Sequence, residues 1–231
     1  MSGLRQRKHL VLLLVLVVGL VLQPLAHGWL FGLVFYDVLL TLLLLVIFLV
    51  VFERRRERTL ALVIAVPALV SGWAGHGLSG RPQTVAWVID HCFIVLFVGF
   101  AVAVILRGLF QTQAIRADHV IGSCCGYLLA GISWGNLYVL AELLLPGSFS
   151  VRQEIAWQLR DEQTRRFLFN YFSFTTLATL GYGDVTPVGP AATTLAWLEA
   201  VFGQFYVAVV VAQLVGLKLA QAVSRSQSGP K

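Results

Sequence analysis

Apolar residues in this chain come in long unbroken runs, without the alternation of a half-buried strand or the 3.6-residue stripe of a soluble helix. A helix crossing about 30 Å of hydrocarbon needs roughly 20 mainly apolar residues. Six runs fit, near 9–26, 30–52, 59–78, 85–108, 119–145 and 191–219. The third is the weakest, because Pro67 interrupts it and Ser71, Gly72 and Gly75 thin its apolar face. Membrane helices tolerate internal proline, so the pattern predicts a kinked span there.

Between the fifth and sixth runs, 146–190 opens polar with Pro146-Gly147 and then turns aromatic from Phe167 to Ala178. It is too short to cross and too apolar to float. The pattern predicts a short helix that dips into the membrane and returns as irregular chain, which survives at that depth only where protein buries it or where it lines a wet passage.

Composition removes the soluble alternative. Of 231 residues, 58% are hydrophobic and 12% charged, against about 25% charged in an ordinary soluble domain. The net charge of +6 does not point to nucleic acid, because the basic residues flank apolar runs and do not line one face. If the chain alternates sides, Arg5, Arg7, Lys8, Arg54, Arg55, Arg56, Arg58, Arg107, Arg116, Lys218, Arg225 and Lys231 fall on one side. Basic residues mark the cytoplasmic side, so both termini are expected there, in the cell (plasma or inner) membrane. Arg54 to Arg58 also suit anionic lipid head groups. The first run has an alternative reading as a secretory signal, with small Ala26 after the apolar Leu10 to Leu22. Cys92, Cys124 and Cys125 sit within apolar runs and read as small hydrophobes.

The returning chain reads Thr179-Leu180-Gly181-Tyr182-Gly183-Asp184. Glycine at alternate positions frees φ, so successive carbonyls can turn to one side and stand in for the water around an alkali cation. This motif, preceded by a span, a polar turret and an aromatic short helix, and followed by Val185-Thr186-Pro187 and another span, resembles the pore unit of the potassium channel superfamily. The likeness covers about 120–219. It implies an all-α membrane protein of six transmembrane helices with a re-entrant pore helix and a selectivity-filter loop. Residues 1–118 are then a four-helix membrane domain, 119–220 the pore domain, and 221–231 a short cytoplasmic tail with no room for a ligand-binding domain.

Carried over residue by residue, the resemblance implies ion sites on the backbone oxygens of Thr179, Leu180, Gly181 and Tyr182 with the Thr179 hydroxyl, and Gly183 completing the filter. Tyr182 would brace the filter, Asp184 would sit at the outer mouth, and Thr175 and Thr176 would supply hydroxyls behind. Gly203 would be a hinge or a close-packing site, and Val207, Val211 and Val215, four apart, share a helical face that lines the cavity or meets lipid. Ala178, Leu180 and Phe172 depart from the family's usual Thr, Val and Trp, which puts the filter's support in doubt more than its selectivity. Glu199, costly in a span, is expected near the hydroxyls behind the filter, where its protonation tunes gating, or against Asn136 and Glu142.

Six spans with a terminal pore also resemble voltage-gated channels, but the fourth run carries Asp90 and His91 and no arginine before Arg107. Asp37, Asp90 and His91 are expected to form a buried polar cluster, structural or proton-sensitive. The function expected is passive potassium conduction by a homotetramer in lipid, with no cofactor beyond the permeant ion and no nucleic-acid partner. The alternatives are a weakly selective monovalent cation channel and, from another class, an intramembrane enzyme using Ser133 and His91 as nucleophile and base.

Overall fold

The computed structural model describes residues 8–24, 32–112 and 116–227. Arg5, Arg7, Ala26, the Arg225 side chain and Lys231, which entered the topology reading, lie outside the described residues. The described chain is almost entirely helical: α1 (Lys8–Leu22), α2 (Gly32–Val51), α3 (Arg55–Gly75), α4 (Arg81–Gln111), α5 (Ala117–Leu144), α6 (Glu162–Leu177) and α7 (Pro190–Gln227). Two three-residue strands, β1 (Phe149–Val151) and β2 (Val185–Pro187), pair antiparallel on either side of α6.

Four helices, α3, α4, α5 and α7, are long and apolar enough to cross a membrane, while α1 and the Asp37–Val51 stretch of α2 are shorter apolar helices. At 1.5 Å per residue the 15 residues of α1 reach about 22 Å. The proline in α3 does not break it. Ser71 Oγ donates to Pro67 O at 2.7 Å, and the helix runs on to Gly75. Pro82 and Gly80 (φ 67°) start α4, where proline in the first turn loses no helical bond.

The helices share one apolar cluster that runs from Leu12 of α1 and Phe52 through Phe97 of α4 to Leu129 and Ile132 of α5. α5 is the most buried of the four long helices. It packs on α4, α1 and α6, and its glycines permit that approach: a Cβ at Gly131 would stand 2.4 Å from the Phe174 ring, and one at Gly135 2.4 Å from Asn170 Oδ1. Basic residues gather at one end of the bundle, where Lys8, Arg54 and Arg107 border a common cavity of about 250 Å³ with Glu53, Glu57 and Asp118. Among the described residues Cys92, Cys124 and Cys125 form no disulfide.

Candidate pore site

Everything around the 178–184 loop serves to position it. α6 begins where Asp161 caps it, accepting from the Thr164 amide at 3.0 Å. It ends at Leu177, and the chain folds back on the last turn: Thr179 N donates to Thr176 O at 2.9 Å and Leu180 N to Thr175 O at 2.7 Å. Thr179 (φ 58°), Gly181 (φ 58°) and Gly183 (φ 76°) have positive φ, whereas Leu180 and Tyr182 between them do not. Alternating hands turns successive carbonyls toward one side, and only glycine holds the left-handed form without strain. Thr179 is a β-branched residue held there by its neighbours, the kind of local strain that collects at functional sites.

Among the described residues no backbone amide donates to the carbonyls of 179–183. Residues 178–183 are exposed in the single chain, in a segment flanked by apolar helices. Buried backbone carbonyls are normally paired, so this row of oxygens is available to an outside partner.

The exit of the loop is tied to the turret. Arg152 N donates to Asp184 O at 2.9 Å, and the β1–β2 ribbon sets Val151 opposite Val185. Tyr171 OH donates to Asp184 Oδ2 at 2.7 Å, and its ring lies parallel to that of Tyr182 with centroids 6.5 Å apart. Desolvation, then the bond to Asp184, pushes the Tyr171 hydroxyl up to about 12, so it remains a donor across the neutral range. Tyr171 went unnoticed in the sequence, where the departure at Phe172 drew attention. The side chain that donates to the loop's exit stands one position earlier.

The hydroxyls beside the loop differ from expectation. Thr175 Oγ1 turns back on its own helix, to Phe172 O at 2.9 Å, and only its carbonyl serves the loop. Glu199 is fully buried but meets neither Thr175 nor Thr176, and neither Asn136 nor Glu142. It is held between Tyr138 of α5, whose hydroxyl donates to Oε2, and Ser173 of α6. Ser173 Oγ is 2.7 Å from Gly131 O and 2.5 Å from Glu199 Oε1. A hydroxyl has one hydrogen. If Ser173 donates to Gly131, the hydrogen between Ser173 and Glu199 belongs to the carboxyl, and Glu199 sits here as the uncharged acid. With no cation in contact that form avoids burying a lone charge.

Gly203 lies in an unbroken α7, and a Cβ there would come 2.4 Å from Leu177 O, so close packing against the end of α6 explains this glycine. Val207, Val211 and Val215 are about half exposed in the single chain. The expected Asp37, Asp90 and His91 cluster is divided: Asp37 pairs with His76, while Asp90 and His91 reach the start of α6. Arg166 donates to Asp90 Oδ2 at 2.5 Å and to Glu162 Oε1 at 2.7 Å. Both nitrogens of His91 are engaged, with Asn136 and Glu162, which leaves none to act as a base toward Ser133. Among the described residues no group of His, Cys, Asp and Glu is arranged to hold a metal ion.

Residues 139–217, about a third of the chain, match the family model described as an ion channel. A 39-residue stretch is 51% identical to the inward rectifier potassium channel Kirbac3.1 of Paramagnetospirillum magnetotacticum, covering 17% of this chain and 13% of that relative. No solved structure matches the chain significantly. The match spans the outer-helix end, the short helix, the loop and the long last helix in the order described above, so this part of the chain is similar to an ion channel, and the chain spans only a small part of the relative's length.

Proposed function

We propose that the protein is a potassium-selective channel that conducts passively through a pore shared by four identical subunits. The observation that carries this reading is the row of carbonyls from Thr179 to Gly183, without backbone donors and with φ alternating in sign. One chain contributes one strand of oxygens, and a dehydrated potassium ion needs rings of them, so cyclic assembly of four follows from the chemistry. Ion sites are assigned to the oxygens of Thr179, Leu180, Gly181 and Tyr182. Asp184 serves the mouth, and the negative end of α6 favours a cation in the cavity below.

The remaining parts fit this reading. α7 is the least buried of the four long helices and leaves Val201, Phe205 and Val207 uncovered, an apolar face suited to sister subunits and lipid. Gly203, Val207, Val211 and Val215 then belong to the inner helix and cavity. α1 and α2 complete six spans, with 1–118 before the pore domain at 119–220 and the basic cavity at the cytoplasmic end. The relative that matches bears a potassium channel's name.

A less selective cation channel is the second reading, favoured by Ala178 where the family usually places a second threonine. Potassium flux into liposomes holding the purified protein tests conduction, with Gly181→Ala as the control, because a Cβ at φ 58° strains the loop. Flux is expected from the parent and none from the variant. Reversal potentials with potassium opposite sodium separate the two readings, and an unselective current would replace the first by the second.

A further inference from the structure

The start of α6 is docked onto α4 by ionisable side chains that the carbonyl filter does not require. His91 is fully buried. Its Nδ1 is 2.6 Å from Asn136 Oδ1 and its Nε2 2.6 Å from Glu162 Oε1. The orientation of the amide is fixed, because Asn136 Nδ2 donates to Ile132 O at 2.7 Å and turns its oxygen to the imidazole. Both ring nitrogens therefore face acceptors. A neutral imidazole donates from one nitrogen only, and an imidazolium from both.

The groups around His91 are Asp90 on its own helix, the uncharged Asn136 of α5, and Glu162, Arg165 and Arg166 of α6, with Asp37 of α2 and its partner His76 after α3 beside Arg166. The Asp37–His76 pair is separate, and Asp90 and Glu162 are matched by the two guanidiniums, so it is the two acceptors on the ring that call for the imidazolium. His76 has one nitrogen on a carboxylate and a partly exposed side chain, whereas His91 has both nitrogens engaged and no access to water. Arg166 Nε at 2.7 Å and Arg165 beside Glu162 keep its carboxyl ionised, so the hydrogen between Glu162 and His91 belongs to the ring.

We propose that His91 is a proton-binding positioning residue: as an imidazolium it pins the start of the pore helix to α4, and its deprotonation loosens that helix and shuts down conduction. The consequence reaches the filter because α6 is a single rod. Its far end carries the Thr175 carbonyl that holds Leu180 and the Tyr171 hydroxyl that holds Asp184. Loss of the proton leaves an acceptor facing an unprotonated nitrogen in a fully buried site. A separation of α6 from α4 relieves that mismatch. A cavity of about 10 Å³, bordered by Asp37, His76, Glu162 and Arg166, lies on the path by which a proton would come from the partly exposed His76.

The conduction arm of this inference rests on the channel reading, and the proton assignment stands apart from it. The test is nitrogen NMR on the protein in lipid with isotope-labelled histidine, beside potassium flux measured across pH in the parent and in His91→Gln. The signal absent from His91→Gln is expected to be that of a doubly protonated ring at neutral pH. Parent flux is expected to fall about tenfold as rising pH removes that signal, the size of a typical coupling between sites. His91→Gln is expected to hold the parent's low alkaline flux at every pH. A neutral His91 ring at neutral pH overturns the proposal, as does a parent flux that stays flat while the signal is lost or an unchanged pH profile in the variant. If His91→Gln does not assemble, replacing His9, His27 and His119 leaves the buried His91 and the partly exposed His76 as the two reporters, and the same titration decides. No flux from any sample at any pH would defeat the channel reading, and the ring signal would still decide the proton.

Discussion

The short helix α6 is bracketed by two buried carboxyls that solve the same problem in opposite ways. At its start Glu162 is surrounded by Arg166, His91 and Arg165 and is ionised. Near its end Glu199, reaching in from α7, touches only hydroxyls and is held as the acid. The first site joins α6 to α4 by charge, and the second joins α6 to α5 and α7 by neutral hydrogen bonds. Charged sites hold geometry at the risk of a large penalty when a partner is lost, whereas neutral ones fail gently. Conservative substitution separates the two.

The largest effect is expected at the charged end. Glu162→Gln leaves Arg166 and His91 facing an amide, and removal of one partner from a buried pair typically costs about 3–5 kcal/mol. Thermal unfolding in detergent should show it as a clear fall in Tm. The acid limb provides a second check. A carboxyl held at about 2 against an ordinary 4.5 stabilises the fold fully above the ordinary value and loses that contribution as pH falls toward 2. The parent should therefore lose about 3 kcal/mol over that window, and Glu162→Gln should not. An equal acid loss in both would mean that Glu162 is not the ionised member of the network.

A smaller effect is expected at the neutral end from Ser173→Ala. It leaves Gly131 O with its helical bond and strips Glu199 of one partner, a loss of about 1–3 kcal/mol for an unsatisfied buried group. Tyr171→Phe comes next, at about 1–2 kcal/mol, because Asp184 is only half-buried and water takes over part of the bond. Its signature is functional: the loop exit loses a tie, and the ratio of potassium to sodium flux should fall. A ratio equal to the parent's would show that Arg152 and the β1–β2 ribbon suffice to hold the mouth.

What could be read from the sequence divides along the same line. The long spans and the loop were legible because their signals are local: an apolar run of fixed length, and glycines at alternate positions. That a proline is tolerated inside α3 was also expected, whereas the bond from Ser71, one turn on, back to Pro67 O was not. The docking sites were not legible, because their partners are remote in sequence. Asp90 meets Arg166 across 76 residues, His91 meets Glu162 across 71, and Tyr138 meets Glu199 across 61. A residual clue existed, since charges at 90 and 91 in an apolar run require opposite charges at similar depth, and Glu162, Arg165 and Arg166 flank the re-entrant segment. Glu199 was expected near Thr175 and Thr176 or against Asn136 and Glu142, in place of Ser173 and Tyr138. Two residues on a helix point about 200° apart, and nothing in the sequence says which face of α5 meets α7. The β1–β2 ribbon was invisible because three residues are too few to show a period.

The sharpest test of the contrast is the smallest expected effect, Glu199→Gln. At Glu162 this change removes a charge that three cations face. At Glu199 it replaces a carboxylic acid by an amide of nearly the same shape, whose N–H donates to Ser173 where the acid's O–H did and whose oxygen accepts from Tyr138. The donor and acceptor count is preserved, so the cost should stay within about 1 kcal/mol, the net worth of an ordinary hydrogen bond. If His91 is the group whose proton the flux follows, the pH profile of Glu199→Gln should match the parent's. A flattened profile in Glu199→Gln would reverse the assignment. It would mean that the carboxyl behind the filter titrates, and that Ser173 gives its single hydrogen to Glu199 and not to Gly131.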